Sequence, residues 1–311
     1  MSFSSKGGIY KKVLVTGGSG FIGTAIKRYN PDWIYMSSKD CNLTDKDQFY
    51  EYLKDNNPDA VVHLAARVGG IKDASNNQAE FLYLNNLINL NVVHQSYRAG
   101  VNRVLSCLST CCFPDVAASY PLVEEDILKG EPAKTNYGYA YAKRVLYLQS
   151  KYYNESYGVC YNTFAPSNVY GPNNDFNLNS SHFVSSMIRK FCEANPGDTI
   201  TFWGSGKSLR QHLYVDDLAE IITLLLEKHI TTLPLIVSPN ENLSIQEHIN
   251  ICKSVVNKDV NIAFNNLLDG QHRKDASNER LLKLVDGYDF TPLRVGLQKT
   301  YNWYKKYRGV K

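Results

Sequence analysis

Apolar and polar positions follow two rhythms along this chain. Short strand-like runs appear at Val13-Leu14-Val15-Thr16, which is β-branched, Trp33-Ile34-Tyr35-Met36, Ala60-Val61-Val62-His63-Leu64 (after an Asn57-Pro58-Asp59 turn), Arg103 to Leu108 and Cys160 to Ala165. Near-continuous apolar runs of this length read as strands buried on both faces. Between them, Asp45 to Lys54, Asn77 to Arg98, and Tyr139 to Tyr157 ended by Gly158 carry helical patterns. Strands alternating with helices predict an α/β fold, a doubly wound parallel sheet with helices on both faces. Beyond Gly171 the regularity loosens. Segments rich in Asn, Ser and Gly (Gly171 to Ser181, Gly204 to Lys207, Pro239 to Leu243) interrupt helices such as Phe183 to Glu193 and Ile245 to Val256. The expected organisation is a main domain over residues 1–170 and a smaller α/β lobe over 171–311, with the chain crossing back near 212–240. A cleft between the two is where a substrate would sit.

The first strand runs into Gly17-Gly18-Ser19-Gly20-Phe21-Ile22-Gly23, which opens a helix. Glycines let such a turn close tightly and let a pyrophosphate approach the N–H groups of the helix N-terminus. A dinucleotide is expected there, on Gly17, Ser19, Gly20, Phe21, Ile22 and Gly23, and the first domain reads as a Rossmann domain. The second strand ends in Ser37-Ser38-Lys39, two hydroxyls and a cation. That set suits a 2′-phosphate, whereas NAD sites usually place Asp or Glu at this point. Asp40 follows one position later, and NADPH is the cofactor expected.

Composition narrows the partners. A formal charge of +4 over 311 residues, with no polybasic run, argues against nucleic acid. Seven cysteines, an odd number without paired or metal-ligand spacing, point to reduced thiols and a cytoplasmic location. No stretch approaches the roughly 18 apolar residues of a membrane span, and Met1 to Lys12 lacks the apolar core of a signal peptide.

Tyr139-Ala140-Tyr141-Ala142-Lys143 sets a phenol and an ammonium one helical turn apart on one face. The ammonium is expected to draw the phenol pKa down from about 10 toward the working pH. A phenol so tuned donates a proton to a carbonyl oxygen as hydride arrives at its carbon. The spacing is common on exposed helices; the glycine turn upstream is what gives it meaning. Tyr137 and Tyr141 have no lysine four residues on.

With this start and this pair, the chain resembles an extended short-chain dehydrogenase/reductase. His63-Leu64-Ala65-Ala66-Arg67-Val68-Gly69-Gly70, Leu108-Ser109-Thr110-Cys111-Cys112-Phe113-Pro114, Pro166-Ser167-Asn168-Val169-Tyr170-Gly171-Pro172 and Ser181-His182-Phe183 are similar, in order, to segments of the GDP-L-fucose synthase family. So are Phe202-Trp203-Gly204-Ser205-Gly206-Lys207 with Arg210, and Gly270-Gln271-His272-Arg273-Lys274; the likeness runs from about residue 11 to 305. The resemblance implies that GDP-4-keto-6-deoxy-mannose is epimerised at C3 and C5 and then reduced at C4 with NADPH, in one site. Tyr139 is then the acid of the reduction, Lys143 also holds the nicotinamide ribose, and Ser109 bonds the C4 oxygen. A 4-keto group acidifies the hydrogens on C3 and C5, and inversion needs a base and an acid on opposite ring faces. The family gives that work to a Cys and a His, here Cys111 and His182. Leu64, Ala65, Ala66, Pro166, Asn168 and Val169 are expected along the cofactor, with Asn168 also at the substrate. Trp203 is expected to stack on guanine and Arg210 to grip the pyrophosphate, with Lys190 and Lys274 as further phosphate contacts. Family members commonly dimerise through two helices per subunit, for which Asn77 to Arg98 and Tyr139 to Tyr157 are the candidates.

One segment departs from the family. GPHDNF is replaced by Gly171-Pro172-Asn173-Asn174-Asp175-Phe176, losing the His and exchanging the Asp/Asn order. A changed sugar is therefore a second reading: a C4-reductase acting alone on a GDP-4-keto heptose that another enzyme has epimerised, for capsule or surface polysaccharide. A third, a nucleotide-sensing or scaffold protein keeping the fold, is opposed by the intact Ser109, Tyr139 and Lys143.

Overall fold

The computed structural model describes residues 9–178, 180–228, 234–265 and 271–308. In chain order the first half forms β1 (Val13–Thr16), α1 (Phe21–Tyr29), β2 (Ile34–Met36), α2 (Lys46–Asn56), β3 (Ala60–His63), α3 (Ile71–Asn76), α4 (Gln78–Arg98), β4 (Arg103–Cys107), α5 (Tyr137–Tyr157) and β5 (Cys160–Pro166). The second half forms β6 (Asn168–Tyr170), α6 (Phe183–Glu193), β7 (Thr199–Phe202), β8 (Leu209–Arg210), β9 (His212–Tyr214), α7 (Val215–Glu227), β10 (Leu235–Val237), β11 (Leu243–Ser244), α8 (Ile245–Val256), β12 (Asn261–Phe264), α9 (Glu279–Leu284) and α10 (Leu293–Arg308). The strand-like runs of the first half all become strands, with ends within a residue of the reading. The helix over α5 starts two residues earlier than expected, at Tyr137, and stops where Gly158 turns left-handed at φ 66°.

Six strands make one parallel sheet in the order β10-β5-β4-β3-β1-β2. Alternate residues serve opposite faces. Leu14, Val61 and Val104 join Phe49 of α2, Val92 of α4 and Leu146 of α5 in one core. Val13, Val15, Val62 and Leu105 join Ile26 of α1 and Leu218 and Ile222 of α7 in the other. The sheet is thus covered on both faces, a Rossmann-type architecture.

α7 went unread because Leu218 to Leu226 is apolar almost all round, which hides the helical period; in the structure it lies against α1 and the sheet. Its C-terminus is held by Arg103, a fully buried residue of β4. The guanidinium donates to Leu225 O (2.7 Å), Leu226 O (3.0 Å) and Lys228 O (3.3 Å), and to Asn162 Oδ1 (2.5 Å) across the sheet. A cation is well placed against the partial negative charge of a helix C-terminus.

A third core fills the remaining lobe, where Phe191, Phe202, Ile249 and Tyr304 pack with Tyr170 and Tyr214. The lobe is tied down by the buried Gln211. Its amide donates to Pro239 O and Ala276 O and accepts from Ser238 Oγ and Ala276 N. β6 pairs in parallel with β9, so that Asn168 faces His212 just beyond the end of β5.

Candidate active site

The turn after β1 and the helix it opens demand glycine at particular positions. Gly17 has φ +69°, and a Cβ there would sit 2.9 Å from Ala65 N. A Cβ on Gly23 would lie 2.6 Å from Gly17 O. The N-terminus of α1 has no side-chain cap on Gly20 and no acidic residue in its first turn, so its N–H groups and dipole are open to an anion. At the end of β2, Asp40 turns back on Ser37, accepting from its N (2.7 Å) and Oγ (2.6 Å). Those two bonds hold the Asp40 carboxyl below its usual range. Ser38 and Lys39 are left exposed beyond the strand. The cradle fits a dinucleotide, and its rim fits one with a 2′-phosphate.

Between this cradle and α5 runs a buried relay that the residue patterns did not reveal. Ala65 N–H donates to Thr16 Oγ1 (3.3 Å), Thr16 to His63 Nδ1 (2.8 Å), His63 Nε2 to Asn89 Oδ1 (3.1 Å), and Asn89 Nδ2 to Ala142 O (3.3 Å). Burial, helped by the charge of Lys143, pushes His63 down to about 3. The ring is therefore neutral, as a chain with one donor per link requires. The relay fixes the ends of β1 and β3 against α4 and the backbone next to Lys143.

Lys143 is almost fully buried and donates to Cys107 O at 2.6 Å. Its ammonium lies 5.6 Å from the centre of the Tyr139 ring, so the helical pair does share one face. The expected fall in the phenol pKa does not occur. Tyr139 stands well above its ordinary value, because burial and the neighbouring Cys107, Cys111 and Cys112 all disfavour a phenolate. Lys143, itself lowered by burial, spends its hydrogen bond on the backbone.

Ser109 follows β4 and starts a 3-10 turn over Thr110–Cys112, its Oγ accepting from Cys111 N at 3.2 Å. The Lys274 ammonium lies 3.0 Å from Cys111 Sγ. Burial raises the Cys111 pKa, but the charge of Lys274 and hydrogen bonds from Lys274, Ser109 and Asn136 outweigh it and leave the thiol below its ordinary value. Cys112, next in the chain, is pushed up to about 12 by burial.

His182 is an exposed residue at the N-terminus of α6, with protein crowding about its ring. That crowding lowers its pKa, and the charge of Asp175 acts in the opposite sense. Asp175 is fixed in the departing loop by Asn177 N (2.8 Å) and Ser180 Oγ (2.5 Å). Ser109 and Lys274 thus meet at Cys111, which acts electrostatically on Tyr139, and Tyr139 has the Lys143 ammonium beside its ring, while His182 belongs to a second cluster with Asp175, His212 and Arg210.

Of the residues expected at the nucleotide, Trp203 is 75% exposed on a turn where Gly204 and Gly206 both have φ +78°. Arg210 lies on β8 close to His212 and His248. Lys190 bonds Thr201 O (2.9 Å) with its ammonium over the Phe202 ring, anchored to β7. Lys274 bonds Cys111. Asn168 donates to Gln211 O at 3.3 Å; Leu64, Ala65, Ala66 and Val169 are partly buried and Pro166 buried at the strand ends. Gly270 of the Gly270 to Lys274 motif lies outside the described residues. Asn89, Asn136, His212 and His248 were missed: each acts through a contact far away in sequence, and none sits in a recognisable motif.

Residues 13–251 match the family described as NAD dependent epimerase/dehydratase. The probable GDP-L-fucose synthase of Drosophila melanogaster is 38% identical over 317 residues, covering 94% of this chain and 97% of its own. The GDP-L-fucose synthase of Dictyostelium discoideum is 35% identical, covering 94% of this chain and 95% of its own. A crystal structure of a GDP-L-fucose synthetase from Naegleria fowleri bound to NADP matches all of this chain and 96% of that one, at a TM-score of 0.90 and 31% identity. With identity sustained over whole chains and a fold that superposes throughout, the chain belongs to the NAD dependent epimerase/dehydratase family and stands with the GDP-L-fucose synthases within it.

Proposed function

We propose that the protein is a GDP-L-fucose synthase, epimerising a GDP-4-keto-6-deoxy sugar at C3 and C5 and reducing it at C4. The observation that carries this reading is the Lys274–Cys111 contact at 3.0 Å. A reductase needs no thiolate, whereas an epimerase needs a base beside the ketone.

When bound, NADPH supplies the hydride for C4. The chain's own groups manage the protons. Cys111, biased toward thiolate, removes a hydrogen next to the ketone, and the proton ends on Sγ. Ser109 and the protonated Tyr139 donate to the C4 oxygen as it gains negative charge. His182 returns a proton to carbon from the other face, and Asp175 favours its charged form. In the reduction Tyr139 gives its proton to the C4 oxygen, and the ammonium of Lys143 stabilises the phenolate left behind. A pKa held high by burial keeps that proton in place until the oxygen calls for it.

The reductase-only reading on a heptose rests on the altered Gly171–Phe176 loop. That loop carries Asp175, whose charge acts on His182 in the sense that favours an acid at this position, and this supports the bifunctional reading. Trp203 and Arg210 support guanine and pyrophosphate recognition. The same reading takes residues 1–170 mainly for the dinucleotide and 171–311 mainly for the sugar nucleotide, with the return near 212–240. It also takes the protein as a cytoplasmic homodimer, since all seven cysteines are free and Leu82, Tyr83 and Leu90 of α4 and Tyr152 of α5 are exposed. No helix among the described residues is long and apolar enough to cross a membrane.

The test is turnover of GDP-4-keto-6-deoxy-mannose with NADPH in D₂O, with the product read by NMR. Deuterium at C3 and C5 together with reduction is the expected result. Reduction without deuterium, or no turnover, overturns the reading in favour of a C4-reductase.

A further inference from the structure

Two histidines with no part in the proposed chemistry meet beside His182. Nδ1 of His212, on β9, lies 2.8 Å from Nε2 of His248, on α8, with the rings 4.6 Å apart and nearly perpendicular. Nδ1 of His248 lies 2.8 Å from Ser244 O. A carbonyl only accepts, so His248 carries its hydrogen on Nδ1. Neutral His248 then offers Nε2 as an acceptor, and His212 must donate from Nδ1. One backbone oxygen therefore fixes the tautomers of both rings and leaves Nε2 of His212 with a lone pair.

The pair is neutral near pH 7. His212 is drawn well below its ordinary value by burial first, then by the positive charge that His248, Arg210 and His182 carry when protonated. His248 is also lowered by burial, against the opposing pull of the Ser244 carbonyl, Glu241 and Glu247, with Arg210 acting in the same sense as burial. The ring of Tyr170 on β6 also lies close to His212, at 6.2 Å.

Three observations set His212 near His182 and just beyond the end of β5. β-pairing sets His212 opposite Asn168. Phe183, the residue after His182, packs on both rings at 5.9 and 6.1 Å. His212 and His182 also interact electrostatically. His182 itself makes no capping bond at the start of α6, so a ring that must present one nitrogen to the sugar lacks a partner on α6 to orient it.

We propose that His212 is the positioning residue of His182: its Nε2, locked as an acceptor by His248, receives a ring N–H of His182 and so decides which His182 nitrogen faces the sugar. The inference rests on His182 being the acid of the proposed epimerisation. His182 gives up the proton on its outward nitrogen to carbon and recovers it from solvent, while the N–H directed at His212 stays in place.

Nitrogen-15 NMR of the histidines in the free enzyme tests it without turnover. The expected spectrum has hydrogen on Nδ1 of both His212 and His248, and a His182 titration that moves in His212→Phe. In D₂O turnover, His212→Phe should lose deuterium incorporation at C3 and C5 at least tenfold with the KM for NADPH unchanged. His212→Gln, whose amide oxygen accepts, should recover part of the loss, and His248→Leu should shift the acid limb of the pH profile. A His182 titration identical in wild type and His212→Phe, or incorporation within threefold of wild type, overturns the inference. If His212→Phe does not fold, hydrogen found on Nε2 of wild-type His212 overturns it as well. A His182 titration that moves in His212→Phe, with no deuterium incorporated by the wild type, keeps the inference about ring orientation and sinks the epimerase reading instead.

Discussion

Gly138 precedes Tyr139 in the first turn of α5, and it is a glycine for a reason that reaches the chemistry. A Cβ at this position would stand 2.1 Å from the backbone oxygen of Gln78, the first residue of α4. Carbon and carbonyl oxygen approach no closer than about 3.3 Å in ordinary contacts, so Gly138→Ala requires the start of α5 to move by roughly 1 Å. The two helices cannot absorb this at the side-chain level, because Gly138 N also donates to Gln78 Oε1 at 2.8 Å and Gln78 Nε2 donates to Lys134 O at 2.7 Å. Alanine gains about 1 kcal/mol of helix propensity over glycine, while overpacking costs about 1–3 kcal/mol, so stability changes little or falls modestly. Activity is the sensitive quantity. A misplacement of about 1 Å near the reacting atoms can cost on the order of 10²-fold, and Tyr139 is the next residue. Steady-state NADPH oxidation with GDP-4-keto-6-deoxy-mannose, alongside thermal unfolding, should give a kcat lowered by about a hundredfold with a nearly normal melting temperature. A kcat within threefold of wild type would refute the argument that this contact positions Tyr139.

Three more outcomes are expected. Lys274→Met should slow iodoacetamide alkylation of Cys111 at neutral pH by about tenfold or more, since a hydrogen bond to a charged group contributes about 1.5–3 kcal/mol; an unchanged rate would detach Lys274 from the thiol. Arg103→Met should destabilise the fold by about 3 kcal/mol, because the carbonyls of Leu225 and Leu226 lose their buried donor; urea unfolding within about 1 kcal/mol of wild type would mean that water replaces it. Finally, His63 stands at about 3 when folded against 6.5 unfolded. Its contribution is fully present above pH 6.5 and is lost as pH falls toward 3, at about 1.4 kcal/mol per pH unit. Unfolding free energies between pH 6.5 and 5 should carry this slope, to which His212 and His248, also lowered, add; His63→Gln should flatten it by one proton, and an unaltered slope would contradict a neutral buried ring.

What the sequence made legible was whatever depends on neighbours in the chain. Strands β1 and β3 announced themselves because residues buried on both faces are apolar in nearly unbroken runs. The glycine turn was legible because only a narrow set of backbones fits it, and the Tyr139/Lys143 face followed from helical spacing. The direction of the Tyr139 pKa was misjudged for the opposite reason. Spacing predicts proximity, but the balance between desolvation and charge depends on Cys107, Cys111 and Cys112, which come from another strand end. The relay through Thr16, His63 and Asn89, and the His212–His248 pair, join residues that the sheet and lobe bring together. Polar residues of this kind look like ordinary strand or helix positions until the fold supplies their partners.

Cys111 and Cys112 make that point as an internal control. They share a turn and a neighbourhood of thiols, Cys112 fully buried and Cys111 partly so. Yet the Cys112 thiol is pushed up to about 12, while Cys111 is held below its ordinary value. Backbone geometry does not separate them, since both belong to the same 3-10 turn after Ser109. What separates them is the counter-charge: burial dominates at Cys112, whose Sγ lies 2.8 Å from Ser109 O, whereas Sγ of Cys111 meets the ammonium of Lys274. That ammonium lies 163 residues away in sequence. The same burial that keeps a proton on Tyr139 would keep one on Cys111, so a single cleft can hold an acid and a base side by side only if one of them receives a private counter-charge. Lys274 is that charge, and it is carried by the segment expected to meet the nucleotide phosphates. Substrate phosphates drawing on Lys274 would loosen its hold on Sγ, so the thiolate bias belongs to the free enzyme first. Alkylation of Cys111 should therefore slow when GDP is added, by more than the shielding it gives the Lys274→Met variant.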